Sequence, residues 1–152
     1  MKGYWRNPKA TQETKTEDGW LRTGDIAYID DNGKFYIVDR IKELIKVKGN
    51  QVAPAELEAV LLDHPAIADA AVIGVPFNQD ERPRAYVVQK PGASVTSEDI
   101  VQFMDKRVAR HKRLVGGVVF IDMIPKNPSG KIMRRELRER AKKELEKVSA
   151  KL

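Results

Sequence analysis

Two runs rich in β-branched and aromatic residues, Asp25-Ile26-Ala27-Tyr28-Ile29 and Lys34-Phe35-Tyr36-Ile37-Val38, flank the tetrad Asp30-Asp31-Asn32-Gly33. Asn and Gly both tolerate the positive φ of a tight turn, so the stretch 20–38 predicts a β-hairpin. Residues 1–19 are polar, with Asn7-Pro8, Thr11, Thr14 and Thr16, and predict no periodic element; they read as the tail of something larger. A second, shorter hairpin is expected across 43–52, where Leu44-Ile45-Lys46-Val47 runs into the turn-like Lys48-Gly49-Asn50-Gln51. Pro54 then stands where a first helical residue belongs, and 55–63 carries Leu57, Val60 and Leu61 on one face before Pro65.

Farther along, Ala70-Ala71-Val72-Ile73-Gly74-Val75 is an unbroken apolar run stopped by Pro76, the pattern of a strand buried on both faces. Residues 84–89, with Ala85-Tyr86-Val87-Val88, predict a second strand. Thr96-Ser97-Glu98-Asp99 has the spacing of a capping box, in which the Thr oxygen accepts a first-turn N–H. It opens a helix predicted over 97–111, with Ile100, Phe103, Met104 and Val108 on one stripe. A third strand is expected at 117–122, and Pro125-Lys126-Asn127-Pro128-Ser129-Gly130 leads to a last helix at about 133–147. The order helix, strand, strand, helix, strand, helix predicts an α+β fold. In it, an N-terminal β-hairpin segment precedes a small central sheet of about three strands flanked by helices, with a short two-stranded hairpin near residue 43.

Composition narrows the chemistry. With 152 residues, 41% hydrophobic and 33% charged, the chain fits a soluble protein of one domain, or of one domain plus a fragment. It has no cysteine, so disulfides, thiolate metal sites and cysteine nucleophiles are excluded, and two histidines, His64 and His111, make a His-rich metal site unexpected. No apolar run approaches the ~18–20 residues of a membrane span, and no apolar signal core opens the chain. The net charge of +6 is uneven: 105–113 has five basic groups against one acid, and 131–147 eight against four. That bias suits either an anionic partner or helices that lysine and arginine simply keep soluble.

Several motifs are absent. There is no Gly-x-Gly-x-x-Gly after a strand, and Gly130-Lys131 is not a Walker A loop, because Pro125 and Ile132 occupy positions that motif needs. What remains is a set of cations and one acid in turn-rich surroundings. Asp25, in Thr23-Gly24-Asp25 at the mouth of the first hairpin, is placed to accept hydrogen bonds from a vicinal diol, or simply to stabilise a turn. Asp39-Arg40 is compatible with a surface ion pair. Lys42, Lys46 and Lys48 recur at even spacing, and on a strand would share one face, where repulsion calls for an anion. Gly49 lets a ligand pass close to the backbone. Lys131 sits in a loop ahead of a helix, free to swing towards a phosphate or to stay an ordinary exposed lysine.

Taken in order, these residues carry a resemblance. Gly19-Trp20-Leu21-Arg22-Thr23-Gly24-Asp25, then Val38-Asp39-Arg40-Ile41-Lys42-Glu43-Leu44-Ile45-Lys46-Val47-Lys48-Gly49-Asn50-Gln51-Val52-Ala53-Pro54-Ala55-Glu56-Leu57-Glu58, resemble the adenylate-forming acyl-CoA ligases. That family includes 4-coumarate–CoA ligases, fatty acyl-CoA synthetases and beetle luciferases. Gly116-Gly117-Val118-Val119-Phe120 and Pro125-Lys126-Asn127-Pro128-Ser129-Gly130-Lys131 match as well, so the resemblance runs from about residue 3 to residue 144.

The resemblance implies that Asp25 binds the ribose hydroxyls of ATP and of the acyl-adenylate, and that Arg40 contacts the same nucleotide. Lys42 matches the hinge position and lies near the adenylate. Lys46 contacts the adenylate and serves the second half-reaction, while Lys48 and Gly49 touch coenzyme A. Gln51 helps position the intermediate, and Lys131 enters the site during adenylation. ATP or AMP, Mg2+ with the triphosphate, coenzyme A and a small carboxylic acid are the implied ligands, and no protein-held metal site is implied.

The family's phosphate loop and acyl pocket are not in this sequence. Residues 1–39 are therefore expected to close a large N-terminal domain, 40–42 to be the hinge, and 43–152 to be a mobile C-terminal domain, folded but inert alone; Met1 falls at a position internal to the family. Ala150-Lys151-Leu152 resembles the Ser-Lys-Leu peroxisomal address, implying an import receptor as partner and a peroxisomal, otherwise cytoplasmic, location. Two other readings are weighed beside this one. One is a luciferase-type adenylating oxygenase; the other is a non-enzymatic basic domain binding nucleic acid or an anionic membrane, against which no aromatic stacking platform is visible.

Overall fold

The structure of the chain, a computed structural model, describes residues 1–149, with side chains as far as Glu146. Ala150-Lys151-Leu152 lies outside the described residues. The chain divides into two compact units, residues 1–42 and the remainder from Glu43 onward.

The first unit contains helix α1 (Pro8–Thr14) and a β-hairpin of β1 (Asp25–Ile29) and β2 (Phe35–Arg40). The helix was not legible as a periodic pattern because it buries none of its residues. Local capping makes it instead: Asn7 Oδ1 accepts the Ala10 N–H at 3.0 Å, and Pro8 occupies the first turn, where its missing N–H costs nothing. The hairpin pairs Tyr28 with Tyr36, whose rings stack at 4.9 Å. Its loop is fixed by Asp30, whose carboxyl titrates below its ordinary range because the Lys34 backbone N–H, and then Tyr36 and Asn32, donate to it. Both faces of this ribbon carry exposed apolar groups, among them Phe35, Ile37 and Tyr28.

The second unit is built on one long antiparallel pairing, β5 (Ile67–Phe77) with β6 (Asp80–Gln89), to which β7 (Val118–Phe120) adds in parallel. Alternation along β5 sorts the apolar run into two cores. Ala70 and Val72, with Ala85 and Val87 of β6, face one core. That core also receives Leu57 and Leu61 of α2 (Pro54–Leu62), Ile100 and Met104 of α3 (Ser97–Asp105), and Ile45, Val47 and Val52 from a small hairpin. Ala71, Ile73, Val75 and Tyr86 face the other core, covered by Leu137 and Ala141 of α4 (Arg134–Ser149). Helices on both sheet faces explain why residues 70–75 show no polar alternation. The small hairpin is β3 (Ile45–Val47) with β4 (Asn50–Val52).

The α+β class, the three hairpin-or-sheet groups and the helix order from residue 54 are as expected. Two elements are shorter: the strand expected at 117–122 spans only Val118–Phe120, and a helix also stops early. The helix expected over 97–111 ends at Asp105, after which Ala109 is extended and Arg110–Lys112 forms a single 3-10 turn. Met104 and Val108 do pack on the core, but the chain must leave the helical path to bury Leu114 there. The capping box itself forms, and the Thr96 hydroxyl and backbone hold the Asp99 carboxyl below its ordinary pKa.

Two polar clusters pin α4 to the sheet. Arg134 Nη2 bridges both Glu58 oxygens at 2.8 Å, and Glu58 Oε1 also accepts the Val72 N–H at 2.8 Å, tying α2, β5 and α4 together. On the same helix, Glu144 accepts from Arg84 and from the Tyr86 hydroxyl. Burial, with the nearby Glu144 carboxylate adding to it, pushes the Tyr86 phenol up to about 12.

Replacing Arg134 by Ala removes the guanidinium that both buried Glu58 oxygens accept from, which is expected to cost about 3–5 kcal/mol in urea unfolding. The double change Glu58→Leu with Arg134→Met should recover most of that loss. A single-variant cost below about 1 kcal/mol would place the pair with ordinary surface bridges.

Candidate functional site

In the first unit, the hairpin register sets Asp25 opposite Arg40, and Arg40 Nε lies 2.9 Å from Asp25 Oδ1. The Thr23 hydroxyl accepts the Asp25 N–H at 3.2 Å, and the Gly24 carbonyl accepts the Ile41 N–H at 2.9 Å, so the loop and the strand end are held together. The Arg40 N–H donates to Asp39 Oδ1 at 2.7 Å. Arg40 thus pairs across the hairpin with Asp25 through its guanidinium, while its backbone N–H donates to Asp39. The pair is partly exposed, so it adds little stability. Its chemistry is that of a diol acceptor beside a fixed cation, able to hold a polyhydroxyl group and an anion side by side.

The three evenly spaced lysines do not share a strand face. Lys42 lies in a 3-10 turn (Ile41–Glu43), Lys46 is the exposed middle residue of β3, and Lys48 occupies the turn after it. The even spacing is broken because the strand is only three residues long and the chain turns at both ends. Glu43, next to Lys42, is held at 2.6 Å by Arg138 of α4.

Lys48 and Gly49 have φ of 47° and 79°, the two-residue turn that matches the twist of the flanking strands. Gly49 sits there without steric cost, whereas a lysine in left-handed backbone is strained by about 1–2 kcal/mol. The register places Gln51 directly opposite Lys46, so both side chains stand on the exposed face of the hairpin while Ile45 and Val52 point inward. Their Cβ atoms are then about 5 Å apart.

Beside this turn lies a groove of about 710 Å³, lined by Lys48, Arg82, Arg110, His111 and Arg113 with Val47 and Val115. Arg113 is 3.5 Å from Asp105, and Arg82 stacks over Phe77. The groove separates the two basic clusters of the sequence. On α4, Arg134, Arg135, Arg138 and Arg140 are each paired with a glutamate, at 2.6 to 3.1 Å. Those charges serve helix docking and solubility. The 105–113 cluster instead supplies three lining residues of a cationic groove. Arg82 and Arg110 were not singled out from the sequence, and the charge run was their only trace.

Lys131 lies in the loop between β7 and α4. Its loop is a small closed structure in which Asn127 Oδ1 accepts the Lys131 N–H at 2.8 Å, the Ser129 N–H at 3.1 Å and the Ser129 hydroxyl at 2.8 Å. Lys126 reaches Asp69 at 2.6 Å, and Arg134 anchors the exit to Glu58. The Lys46 segment is tied separately, its N–H donating to Glu81 Oε2 at 2.9 Å. Asp69 pairs with Val88 and the Glu81 carboxylate lies over Gly74, so these two tethers are five residues, or about 17 Å, apart along β5, with Arg134 reaching the Val72 carbonyl between them.

Among the described residues no three His, Cys, Asp or Glu side chains gather to hold a metal ion. No helix among the described residues is long and apolar enough to cross a membrane.

Residues 56–131 match the family model described as the AMP-binding enzyme C-terminal domain. The peroxisomal OPC-8:0-CoA ligase 1 of Arabidopsis thaliana is 56% identical over 138 residues, covering 90% of this chain and 25% of that protein. The 4-coumarate-CoA ligase 1 of Narcissus pseudonarcissus is 52% identical over 141 residues, covering 92% and 26%. Among solved structures, ATP-bound MatB from Rhodopseudomonas palustris superimposes with a TM-score of 0.85 at 35% identity, covering 91% of this chain and 27% of its own. The chain thus spans about a quarter of the length of the curated relatives it matches.

A groove of this composition is expected to take a polyanion. Titrating inorganic pyrophosphate into the chain should shift the NMR amide signals of Lys48, Arg110 and Arg113. The binding should weaken as ionic strength rises past about 0.1 M, where the Debye length falls to ~10 Å. Arg113→Ala should weaken it roughly tenfold, the worth of one charge-assisted hydrogen bond of about 1.5 kcal/mol. Binding indifferent to salt, or shifts scattered over the whole surface, would contradict a formed anion groove.

Proposed function

The chain belongs to the family of AMP-binding enzyme C-terminal domains, and on that premise we propose that its second unit is the mobile lid of an ATP-dependent, AMP-forming carboxylic acid–CoA ligase. In this reading, residues 1–39 complete a larger catalytic body and 40–42 form the hinge. The exposed apolar groups on both faces of the β1–β2 ribbon support it, since a two-stranded ribbon of this kind needs a larger body to cover it. The body supplies the acyl pocket and most of the nucleotide site.

The observation that carries the proposal is the separate tethering of the two lysine-bearing segments, one at Asp69 and one under the Glu81 carboxylate about 17 Å away along one hairpin. A lid that rotates about Lys42 can present one segment and then the other to a single reaction centre. In the first half-reaction, a carboxylate oxygen of the acid attacks the α-phosphorus of ATP. The bond to the bridging oxygen breaks, and pyrophosphate leaves. The Lys131 ammonium meets the charge that spreads over the phosphate oxygens, and its loop, closed by Asn127, holds it in place before the reaction. Asp25 accepts hydrogen bonds from the ribose hydroxyls, and Arg40 beside it contacts the same nucleotide.

In the second half-reaction, the thiol sulfur of coenzyme A attacks the acyl carbon of the adenylate. The bond from that carbon to the phosphate oxygen breaks, AMP leaves, and the thiol proton passes to solvent. Lys46 and Gln51, side by side on the exposed face of their hairpin, hold the adenylate for this step. Lys48 and Gly49 guide the coenzyme A chain past the turn, and the cationic groove beside them takes its phosphate groups. The relatives described are CoA ligases by name. Nothing in the fold favours an oxygenase or a nucleic-acid module over this reading.

The tripeptide Ala150-Lys151-Leu152 acts as a peroxisomal import address, a location also carried in the name of the Arabidopsis relative. Fused to the end of a fluorescent protein, the last residues of this chain should direct it to peroxisomes, and deleting Leu152 should leave it diffuse. Diffuse signal from the intact tail would remove the assignment.

In the complete ligase that carries this chain, Lys131→Ala should slow acyl-adenylate formation by roughly 10²-fold. Thioester formation from supplied acyl-adenylate should be unchanged. Equal loss of both half-reactions would overturn the division of labour.

A further inference from the structure

Lys46 is held by its backbone, not by its side chain. In a hairpin closed by the two-residue turn Lys48-Gly49, the pair next to the turn, Val47 with Asn50, exchanges the ladder hydrogen bonds. The next pair, Lys46 with Gln51, does not, and the Lys46 N–H points away from β4. It would have no strand partner there. Instead, Glu81 Oε2 accepts it at 2.9 Å across 35 residues of sequence.

Glu81 can do this because of what lies beneath it. It sits at the closed end of the β5–β6 hairpin, opposite Pro76, and its carboxylate folds back over Gly74 of β5. A Cβ at position 74 would lie 2.9 Å from both Glu81 Cδ and Oε2. Gly74 is buried in extended backbone that any residue adopts, so a missing side chain, not a special φ, is what that position requires. A carboxylate is the end of a flexible side chain, so alanine at 74 would push it aside instead of disrupting the strand.

We propose that Glu81, seated on Gly74, is a positioning residue for the thioester-forming step. It fixes the height and orientation of β3 against the β5–β6 hairpin, and thereby the point from which the Lys46 ammonium reaches the adenylate. The three-residue strand β3 pairs only with β4 in its own two-stranded sheet, and so short a ribbon does not hold its own position. Ile45 and Val47 bury their side chains in the core and set its depth. Burial is non-directional, and the single hydrogen bond to Glu81 supplies the direction. The loop that carries Lys131 is tethered separately, by Lys126 to Asp69 and by Arg134 to Glu58, and does not depend on Glu81. The proposal rests on the reading of Lys46 given above and adds the residue that serves it.

Two measurements separate the new inference from that reading. In this chain, the Lys46 amide should exchange slowly with solvent. Exchange should speed up by about tenfold or more in Glu81→Ala and in Gly74→Ala, and stay slow in Glu81→Gln, whose amide oxygen still accepts. In the complete ligase, Glu81→Ala and Gly74→Ala should each slow thioester formation from supplied acyl-adenylate by about 10- to 10²-fold, the cost of a misplacement near 1 Å. Adenylation should stay at the wild-type rate, and Glu81→Gln should restore the thioester step. Unchanged Lys46 exchange in Glu81→Ala overturns the positioning role while the reading of Lys46 stands. So does a loss shared equally by both half-reactions, which marks general destabilisation. If Lys46→Ala itself leaves the thioester step intact, the reading of Lys46 fails, and this proposal fails with it.

Discussion

The ten-register antiparallel pairing of β5 with β6 is the constraint from which the rest of the second unit follows. Its pleat sends Ala70 and Val72 to one side and Ala71, Ile73 and Val75 to the other, so two separate cores form on one sheet. One core recruits α2, α3 and the β3–β4 hairpin, and the other recruits α4. Because a paired ribbon of this length is stiff, whatever is fastened to two points on it keeps a fixed separation. The lysine-bearing segments are fastened along it, one through Glu81 over Gly74 and one through Asp69.

The fastenings are polar. Glu58 accepts a backbone N–H from β5 and receives the Arg134 guanidinium, an arrangement tolerable in a buried place only because both charges are matched. Asn127 folds the loop before α4 onto itself, and Glu81 takes an N–H that the hairpin pattern leaves outward. Apolar packing sets how deep each element sits. These directional bonds set which way it faces, and a site that works by placing cations needs the second property more than the first.

The charge excess has two physical meanings within one chain. On α4 the arginines are neutralised by glutamates of the same helix or of elements packed on it, and so carry little field outward. Around residues 110–113 the arginines line a groove beside Lys48, with Arg82 from β6 on its wall. Summed charge could not tell these apart, because pairing depends on which glutamates the fold brings near.

Much of this was legible along the chain. The capping box at Thr96, the two hairpins, the doubly buried run at 70–75 and the motif residues all follow from local rules, in which spacing along the chain equals proximity in space. Helix α1 and the true end of α3 were not legible: the first is held by a cap without a buried face, and the second is cut short by the burial of Leu114. The sequence by itself determined the elements, their apolar faces and the identities of the cations. Only the tertiary structure decided that Arg40 pairs with Asp25, that Lys46 stands beside Gln51 and hangs from Glu81, and that Arg82 and Arg113 share a groove. Those contacts join residues 5 to 35 positions apart, and such distances are closed by register and packing, which no local pattern encodes.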